Sequence, residues 1–278
     1  MAKTNLFPES VLDPIGKRAA IATQKVKTLK AELEEAEHIK QVWEDLLSYL
    51  NQGWPFHILA LLDKEAHLVR QMRQDNGPTI RSLDEIGRIA QEQTDAIRRR
   101  FPAYLEEACV ERKLPLDRES RHPRYSFKGG FFQLEIDERK DIARLSDHEG
   151  PLDEFPADIS AIVQIVEREH KRIFERSFDS NKFLKKLRHQ YLAVVNQEGQ
   201  SDGAIVPIRH ITRRLGKNEK GFRTDEFLVD LSRLVEQGMT EIEGRRLDLQ
   251  QTKDINQGML LLGTAGRGYV GFILFKEV

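Results

Sequence analysis

The 278-residue sequence contains a single cysteine, Cys109, which excludes an intrachain disulfide and a multi-cysteine zinc site. Residues 104–110 have the pattern of an apolar helix face, so we expect a buried thiol without chemistry. The longest apolar stretches, such as residues 58–62, are far shorter than the roughly 20 residues that a membrane helix needs. Residues 1–10 lack the basic-then-apolar pattern of a secretory signal. These absences predict a soluble protein of a reducing cytoplasm.

The sequence also lacks an excess of either charge, with 44 Lys and Arg against 45 Asp and Glu. Binding to nucleic acid or to an anionic membrane would therefore have to come from a local patch. Several catalytic motifs are missing as well: the Gly-x-Ser-x-Gly elbow, the Walker-type phosphate loop and the His-Glu-x-x-His zinc motif. We therefore expect no catalytic residues, no metal site and no cofactor.

The strongest pattern present is an apolar stripe along residues 15–50, in alternating steps of four and three. It predicts a helix of roughly nine turns with a narrow, coiled-coil-like seam. The seam consists of Ile15, Ala19, Ala22, Val26, Leu29, Leu33, Ala36, Trp43, Leu47 and Leu50, and Lys40 interrupts it. We predict that a partner protein docks on it through Val26, Leu29, Leu33, Trp43 and Leu47. Ile39, Val42 and Leu46 widen the stripe, so we expect a second neighbour there.

Gly53 and Pro55 predict the end of this helix and the start of a second one over residues 55–74. Two further helices are predicted before residue 112. Residues 1–120 are therefore interpreted as a helical hairpin or bundle.

Residues 121–155 are interpreted as a small β-meander followed by an acidic linker. Gly129 and Gly130 lie between two aromatic runs, which is a hairpin signal. Residues 137–158 carry eight acidic residues against three basic ones and include prolines, as expected of a loop.

Residues 156–278 are interpreted as a helical domain that ends in a winged-helix-like module. From residue 182 the predicted order is three helices, a strand, a turn and a strand. In a winged helix the third helix, here over residues 225–237, would be offered to a DNA groove. The fold class predicted for the whole chain is α+β and predominantly helical.

The segment 182–223 contains ten Lys and Arg but only three acidic residues. Because phosphate neutralisation supplies most non-specific affinity for DNA, we predict contacts to the DNA backbone here. The predicted contact residues are Arg213, Arg214, Lys217, Lys220 and Arg223, with Arg245, Arg246 and Arg267 near the C-terminal hairpin. The third helix is a poorer candidate for reading bases, because its polar face carries four acidic residues and one arginine. A solvated basic surface without a ligand is the alternative.

Two weaker patterns could carry chemistry. Glu35 with His38, and Glu167 with His170, have the Glu-x-x-His spacing of carboxylate-bridged di-iron bundles, but one or two such pairs are expected by chance.

Glu135, Asp137 and Lys140 lie on and after a predicted strand. Carboxylates and a lysine around a divalent ion are typical of metal-dependent nucleases. A solvated strand edge is the simpler interpretation.

The coiled-coil-like start and the element order of residues 182–278 resemble, in architecture, the non-ATPase accessory subunits of bacterial SMC-type DNA-handling complexes. The resemblance implies a non-catalytic subunit that docks partner proteins, with an SMC-type ATPase as one candidate, in chromosome maintenance or in antiviral defence against foreign DNA. Two other functions stay open. One is a winged-helix DNA-binding regulator that dimerises through residues 15–50, and the other is a metal-dependent nuclease with a dispersed carboxylate site.

Overall fold

The computed structural model describes residues 8–74, 78–254, 257–263 and 266–278. The protein is α+β with a long N-terminal helix and antiparallel sheets, which confirms the predicted fold class. It divides into two compact units, an N-terminal unit, Met1–Arg100, and a C-terminal unit, Phe101–Val278.

The N-terminal unit is helical. Its helices are α1 (Glu9–Gln52), α2 (Pro55–Lys64), α3 (Ala66–Gln74) and the first part of α4 (Pro78–Glu111). Gly53 ends α1 in the left-handed conformation, with φ of 64°, and Pro55 is the first residue of α2. Both boundaries match the prediction, because glycine adopts a positive φ without steric penalty and proline has the φ of a first helical turn.

The prediction of a single helix over residues 55–74 is wrong, because the helix is interrupted at Glu65. The backbone there has φ of −97° and ψ of 24°, and α3 begins at the next residue. Neither proline nor glycine marks the break, and apolar residues continue with helical spacing on both sides. The Glu65 side chain is buried and lies next to His38 of α1, so a tertiary contact accompanies the change of direction.

Helix α4 has a kink where the sequence predicts two separate helices. Arg100 has φ of −131° and ψ of 21°, and Pro102 follows it. A proline ring clashes with the carbonyl four residues earlier, which accounts for a distortion at this place. The division between the two units falls at the kink.

After the end of α4, the C-terminal unit continues with a four-stranded antiparallel meander, where the sequence predicts a small β-meander. Its strands are β1 (Arg124–Phe127), β2 (Phe132–Asp137), β3 (Ile142–Asp147) and β4 (Gly150–Pro156), in that order. Leu134 lies opposite Leu145, and Ala143 lies opposite Phe155, on the buried face of the sheet.

Strand β4 corrects the prediction that an acidic linker follows the meander. Phe155 is its only buried residue, so the strand has no apolar alternation that a sequence could reveal. Its acidic side chains pair with arginines instead: Glu154 lies 2.6 Å from Arg144, and Asp153 lies 3.1 Å from Arg168. Backbone pairing with β3 therefore decides this strand.

Four helices follow the meander: α5 (Ile159–His170), α6 (Ser180–Gln197), α7 (Ile208–Asn218) and α8 (Thr224–Glu236). Helix α5 continues directly into a π-helical turn, Lys171–Glu175. Asp179 caps α6, since its Oδ1 accepts a hydrogen bond from the backbone N–H of Lys182.

A second antiparallel sheet packs with these helices. Its strands are β5 (Val206–Pro207), β6 (Glu241–Ile242), β7 (Arg245–Gln251), β8 (Met259–Gly263) and β9 (Gly266–Glu277). The order is β5-β9-β7-β6, and β8 also pairs with β9. The core includes Leu187, Tyr191, Ile211, Leu231 and Phe275, so three helices and the sheet share one apolar cluster.

Candidate docking and nucleic-acid surfaces

Helix α1 exposes the predicted seam. Every residue from 12 to 38 is exposed, and Val26, Leu29 and Leu33 each leave more than half of their surface in water. Leu47, further along the same seam, is 59% exposed. A single exposed leucine is ordinary in a folded protein, whereas several large apolar residues exposed on one helix face are typical of interaction surfaces.

The C-terminal part of α1 packs within its own unit through a different face. Val42 and Leu46 are buried with Ile58 and Leu61 of α2, as the widened stripe predicts. Trp43 is partly buried against this cluster. The tryptophan therefore belongs in part to the core of its own unit, whereas the other four predicted docking residues remain accessible.

A basic groove lies between the end of α6 and α7 in the C-terminal unit. Its volume is about 470 Å³, and its lining consists of Val194, Gln197, Glu198, His210, Arg213, Arg214, Lys217 and Asn218. Arg213 and Lys217 are one helical turn apart and exposed. Their side chains form no ion pair or hydrogen bond with the residues that the structure describes, so their charge is available to a ligand.

Two internal contacts fix the walls of the basic groove. Arg214 Nε donates a hydrogen bond to Gln190 Oε1 at 3.1 Å. His210 Nδ1 lies 2.9 Å from Glu198 Oε1. The groove therefore has cations on the α7 side and one carboxylate, Glu198, at its α6 side.

The structure does not bring all of the predicted DNA-contact residues to this groove. Arg223 pairs with Asp225 at 3.1 Å. Arg245 pairs with Asp202 at 3.0 Å and with Glu277 at 2.9 Å, and it also donates to a backbone carbonyl. These two arginines form ion pairs within their own chain, whereas Arg213 and Lys217 form none with the described residues.

Three further predicted residues lie outside the groove lining. Lys220, in the turn after α7, and Arg246, on β7, are exposed. Arg267 lies beyond the residues whose side chains are described.

The polar face of α8 is covered inside the C-terminal unit. Arg172, from the π-helical turn, lies 2.6 Å from Asp225 and 2.5 Å from Glu226. Arg176 lies 2.7 Å from Asp230. With three of its four acidic residues engaged and Asp225 and Asp230 buried, α8 leaves only Glu236 of these acids exposed without an ion pair in the described part of the chain.

The two buried aspartates of α8 respond differently to this network. Burial opposes the ionisation of Asp225, but hydrogen bonds from Arg172 and Arg223 outweigh it and hold its pKa below the ordinary value. Burial also raises the pKa of Asp230, and the ion pair with Arg176 does not offset that effect. Asp225 is therefore the firmly ionised partner in the network.

Two of the three residues considered for a nuclease, Glu135 and Asp137, lie on β2 of the first sheet and pair with arginines of the neighbouring strands, whereas Lys140 lies in the turn after β2. Glu135, which lines an open groove of about 680 Å³, lies 3.4 Å from Arg124. Asp137 lies 3.4 Å from Arg144 and accepts hydrogen bonds from two backbone N–H groups. Lys140 contributes only its backbone N–H to this arrangement. Such pairs stabilise a sheet without requiring an ion.

The Glu-x-x-His pairs do not form as a di-metal motif. Glu167 pairs with Arg112 and Lys171, and His170 faces Glu175. His38, however, lies 3.1 Å from Glu65 and not beside a carboxylate of its own helix turn.

His67 Nδ1 also approaches Glu65, at 4.0 Å. Over the described part of the chain, His38, Glu65 and His67 are the one group of three that has the spacing of metal ligands. The sequence did not indicate it, because the three residues are brought together by the break between α2 and α3.

Cys109 is buried, as predicted. Burial, followed by the nearby Glu106 carboxylate, raises the pKa of its thiol to about 12. The thiol is therefore protonated at neutral pH, which fits a structural role.

Comparison with protein-family models, curated proteins and solved structures found no match. In the described part of the chain, no helix has both the length and the apolarity of a membrane span.

Proposed function

We propose that this chain is a non-catalytic assembly subunit, and that the seam of α1 binds a helix of another polypeptide. One observation carries the proposal: α1 is exposed from residue 12 to residue 38 although it holds large apolar residues at regular spacing. Isolated helices are marginal in water and gain most of their stability from packing of an apolar face. A partner helix would supply that packing.

The seam has the geometry of a coiled coil. Val26 and Leu33 take heptad position a, and Ile15 and Leu29 take position d. Burial of each such side chain contributes roughly 1.5–3 kcal/mol before the entropy of association is subtracted. Several layers of this kind are enough to hold two chains together.

The charges beside the seam favour a second copy of the chain in antiparallel orientation. In a parallel pair, Lys25 would face Lys30 of the second copy, and Glu32 would face Glu37, so both contacts would be repulsive. In an antiparallel pair, Lys25 of each copy faces Glu32 of the other. Like charges disfavour the first arrangement and opposite charges favour the second.

The same antiparallel register matches the apolar layers. It places Val26 against Leu29 of the second copy, and Leu33 against Ala22. Large residues thus meet small or medium ones, which allows the helices to pack closely.

Sedimentation of the full chain tests this proposal. The protein is expected to sediment as a dimer, and Leu29→Glu with Leu33→Glu is expected to yield a monomer of unchanged helical content, because the variant puts carboxylates into the seam. Val110→Glu is the matched control, since Val110 is 75% exposed on α4 and lies off the seam. A wild-type monomer would refute self-pairing. If an ATPase co-purified with such a monomer, the ATPase would be the partner that binds the seam.

A second candidate function is contact with the DNA backbone, which the two unpaired cations of the basic groove favour. The order of the C-terminal unit, with β5 between the first two of three helices and β7 and β9 after them, supports the winged-helix interpretation. The covered face of α8 favours backbone contact over sequence reading. This combination would suit an accessory subunit of an SMC-type DNA-handling complex better than a sequence-specific regulator.

Salt-dependent binding to double-stranded DNA tests the second function. Each phosphate contact contributes about 0.9 to the slope of log affinity against log salt, so Arg213→Ala with Lys217→Ala is expected to lower that slope by about 2. Lys27→Ala with Arg99→Ala removes two exposed cations elsewhere and should leave the slope unchanged. An unaltered slope in the groove variant would discard this function.

A further inference from the structure

Glu65 is a buried carboxylate whose neighbours include two histidine side chains. It lies between α2 and α3, and only 4% of its surface is exposed. Removing an ionised carboxylate from water costs several kcal/mol unless a cation or hydrogen-bond donors replace the water. Among the residues that the structure describes, only His38 and His67 bring a side chain of opposite charge, and each is charged only when protonated.

We infer that His38, Glu65 and His67 bind a divalent transition-metal ion. Two imidazole nitrogens and one carboxylate oxygen form a ligand set that Zn²⁺ and related ions accept. One atom from each of the three side chains lies within 4.8 Å of the others. This metal site is independent of the proposed functions, because none of its residues belongs to the α1 seam or to the lining of the basic groove.

The distances are close to those of a bound ion. Metal–ligand bonds of roughly 2.1 Å in a tetrahedron separate the ligand atoms by about 3.4 Å. His38 Nε2 and Glu65 Oε2 are already 3.1 Å apart. His67 Nδ1 lies 4.0 Å from the same oxygen, and its side chain is 71% exposed, so the surroundings leave its ring room to turn toward Glu65.

The exposure of the two histidines indicates a metal site at the protein surface. Half of the His38 side chain faces water, as does most of His67, whereas Glu65 anchors the site from inside. Three protein ligands leave the fourth position to water. The ion would link α1 to the break between α2 and α3 and would neutralise the buried carboxylate.

Cobalt binding to the untagged full chain tests the inference, because Co²⁺ bound by nitrogen and oxygen ligands absorbs visible light. One equivalent of Co²⁺ is expected to give a visible spectrum, and Zn²⁺ should displace it. Zn²⁺ should also raise the midpoint of thermal unfolding followed by tryptophan fluorescence, since Trp43 and Trp54 are both in the N-terminal unit.

Variants decide whether these three residues are the ligands. His67→Gln is expected to weaken metal binding at least about tenfold, and its exposure makes misfolding a minor concern. Glu65→Gln should abolish the zinc-dependent rise in the unfolding midpoint. His210→Gln is the matched control, because His210 pairs with Glu198 at 2.9 Å without a third ligand among the described residues. Equal binding by wild type and His67→Gln, or equal loss in His210→Gln, would overturn the site.

Discussion

The two units differ in how completely each one covers its own apolar side chains. In the N-terminal unit, every residue of α1 from 12 to 38 is exposed. The core of this unit is a small cluster that includes Val42, Leu46 and Ile58. In the C-terminal unit, three helices and a sheet enclose a core that includes Tyr191 and Phe275. The first unit therefore leaves large apolar side chains exposed along one helix, whereas the second encloses its large core side chains between helices and sheet.

Ion pairs in the two units also differ in how far they are buried. Arg88 in α4 pairs with Glu85 and Glu92 on an exposed helix surface. Arg172 in the C-terminal unit reaches Asp225, which is 4% exposed, and also binds Glu226. Exposed pairs contribute little to stability, while a carboxylate left buried without its partner is strongly destabilising.

The largest expected effect on stability comes from removing a buried ion pair of the C-terminal unit. Arg172→Met leaves the buried Asp225 without its main partner and should lower the free energy of unfolding of that unit by about 3 kcal/mol. Circular dichroism in urea measures the change. Tryptophan fluorescence should move little, because both tryptophans are in the N-terminal unit.

Arg88→Met is the matched change on the exposed surface of α4. It should have no measurable effect on unfolding. A loss as large as that of the Arg172 variant would contradict the distinction between buried and exposed pairs.

A smaller effect, on the strength of dimerisation, distinguishes the two orientations of the α1 dimer. Lys25→Glu places a carboxylate opposite Glu32 in the antiparallel dimer and should weaken dimerisation about tenfold, since two attractive contacts become repulsive. In a parallel dimer the same change would create attraction to Lys30 and strengthen dimerisation. Sedimentation equilibrium at low salt therefore distinguishes the two orientations by the sign of the change, and Lys25→Glu with Glu32→Lys should restore the antiparallel dimer.

The smallest expected effect concerns the turn between β3 and β4. Burial, followed by the nearby Asp225, raises the pKa of Asp147, and burial also raises the pKa of Glu149. A carboxyl whose folded pKa is raised gives its full stabilisation below its unfolded pKa of about 3.9 for Asp, and loses it as the pH rises through the folded value.

Asp147→Asn should therefore stabilise the C-terminal unit at pH 7 by less than about 1 kcal/mol. The asparagine Oδ1 can still accept hydrogen bonds from the backbone N–H groups of Glu149 and Gly150. Urea unfolding at pH 7 and at pH 3.5 measures the difference between variant and wild type. A difference that does not shrink at the lower pH would contradict the assigned cause.

Local patterns were sufficient for much of the fold. Spacing alone predicted α1, and Gly53 predicted its end. Gly129 and Gly130 predicted the first hairpin, where both residues have positive φ. The exposed seam of α1 was predicted too, because a helix with charged flanks and a narrow apolar stripe has the same pattern whether or not a partner is present.

Three features could not be predicted because they arise from long-range contacts. Strand β4 has one buried residue and is held by pairing with β3. Arg245 has the sequence pattern of a cation for DNA but binds Asp202 and Glu277, which are far away in the sequence. The break at Glu65 lies in a run with uninterrupted helical spacing.

The sequence by itself determined the elements whose residues are neighbours along the chain: the amphipathic helices, the glycine turns and the alternating strands. Only the tertiary structure decided which charges are free and which are used. Arg213 and Lys217 face water while Arg172 and Arg245 are engaged, and His38, Glu65 and His67 meet although 27 residues separate the first two. The physical reason is that periodicity is a property of the local backbone, whereas the pairing of a side chain depends on the distance through space to groups far away in sequence.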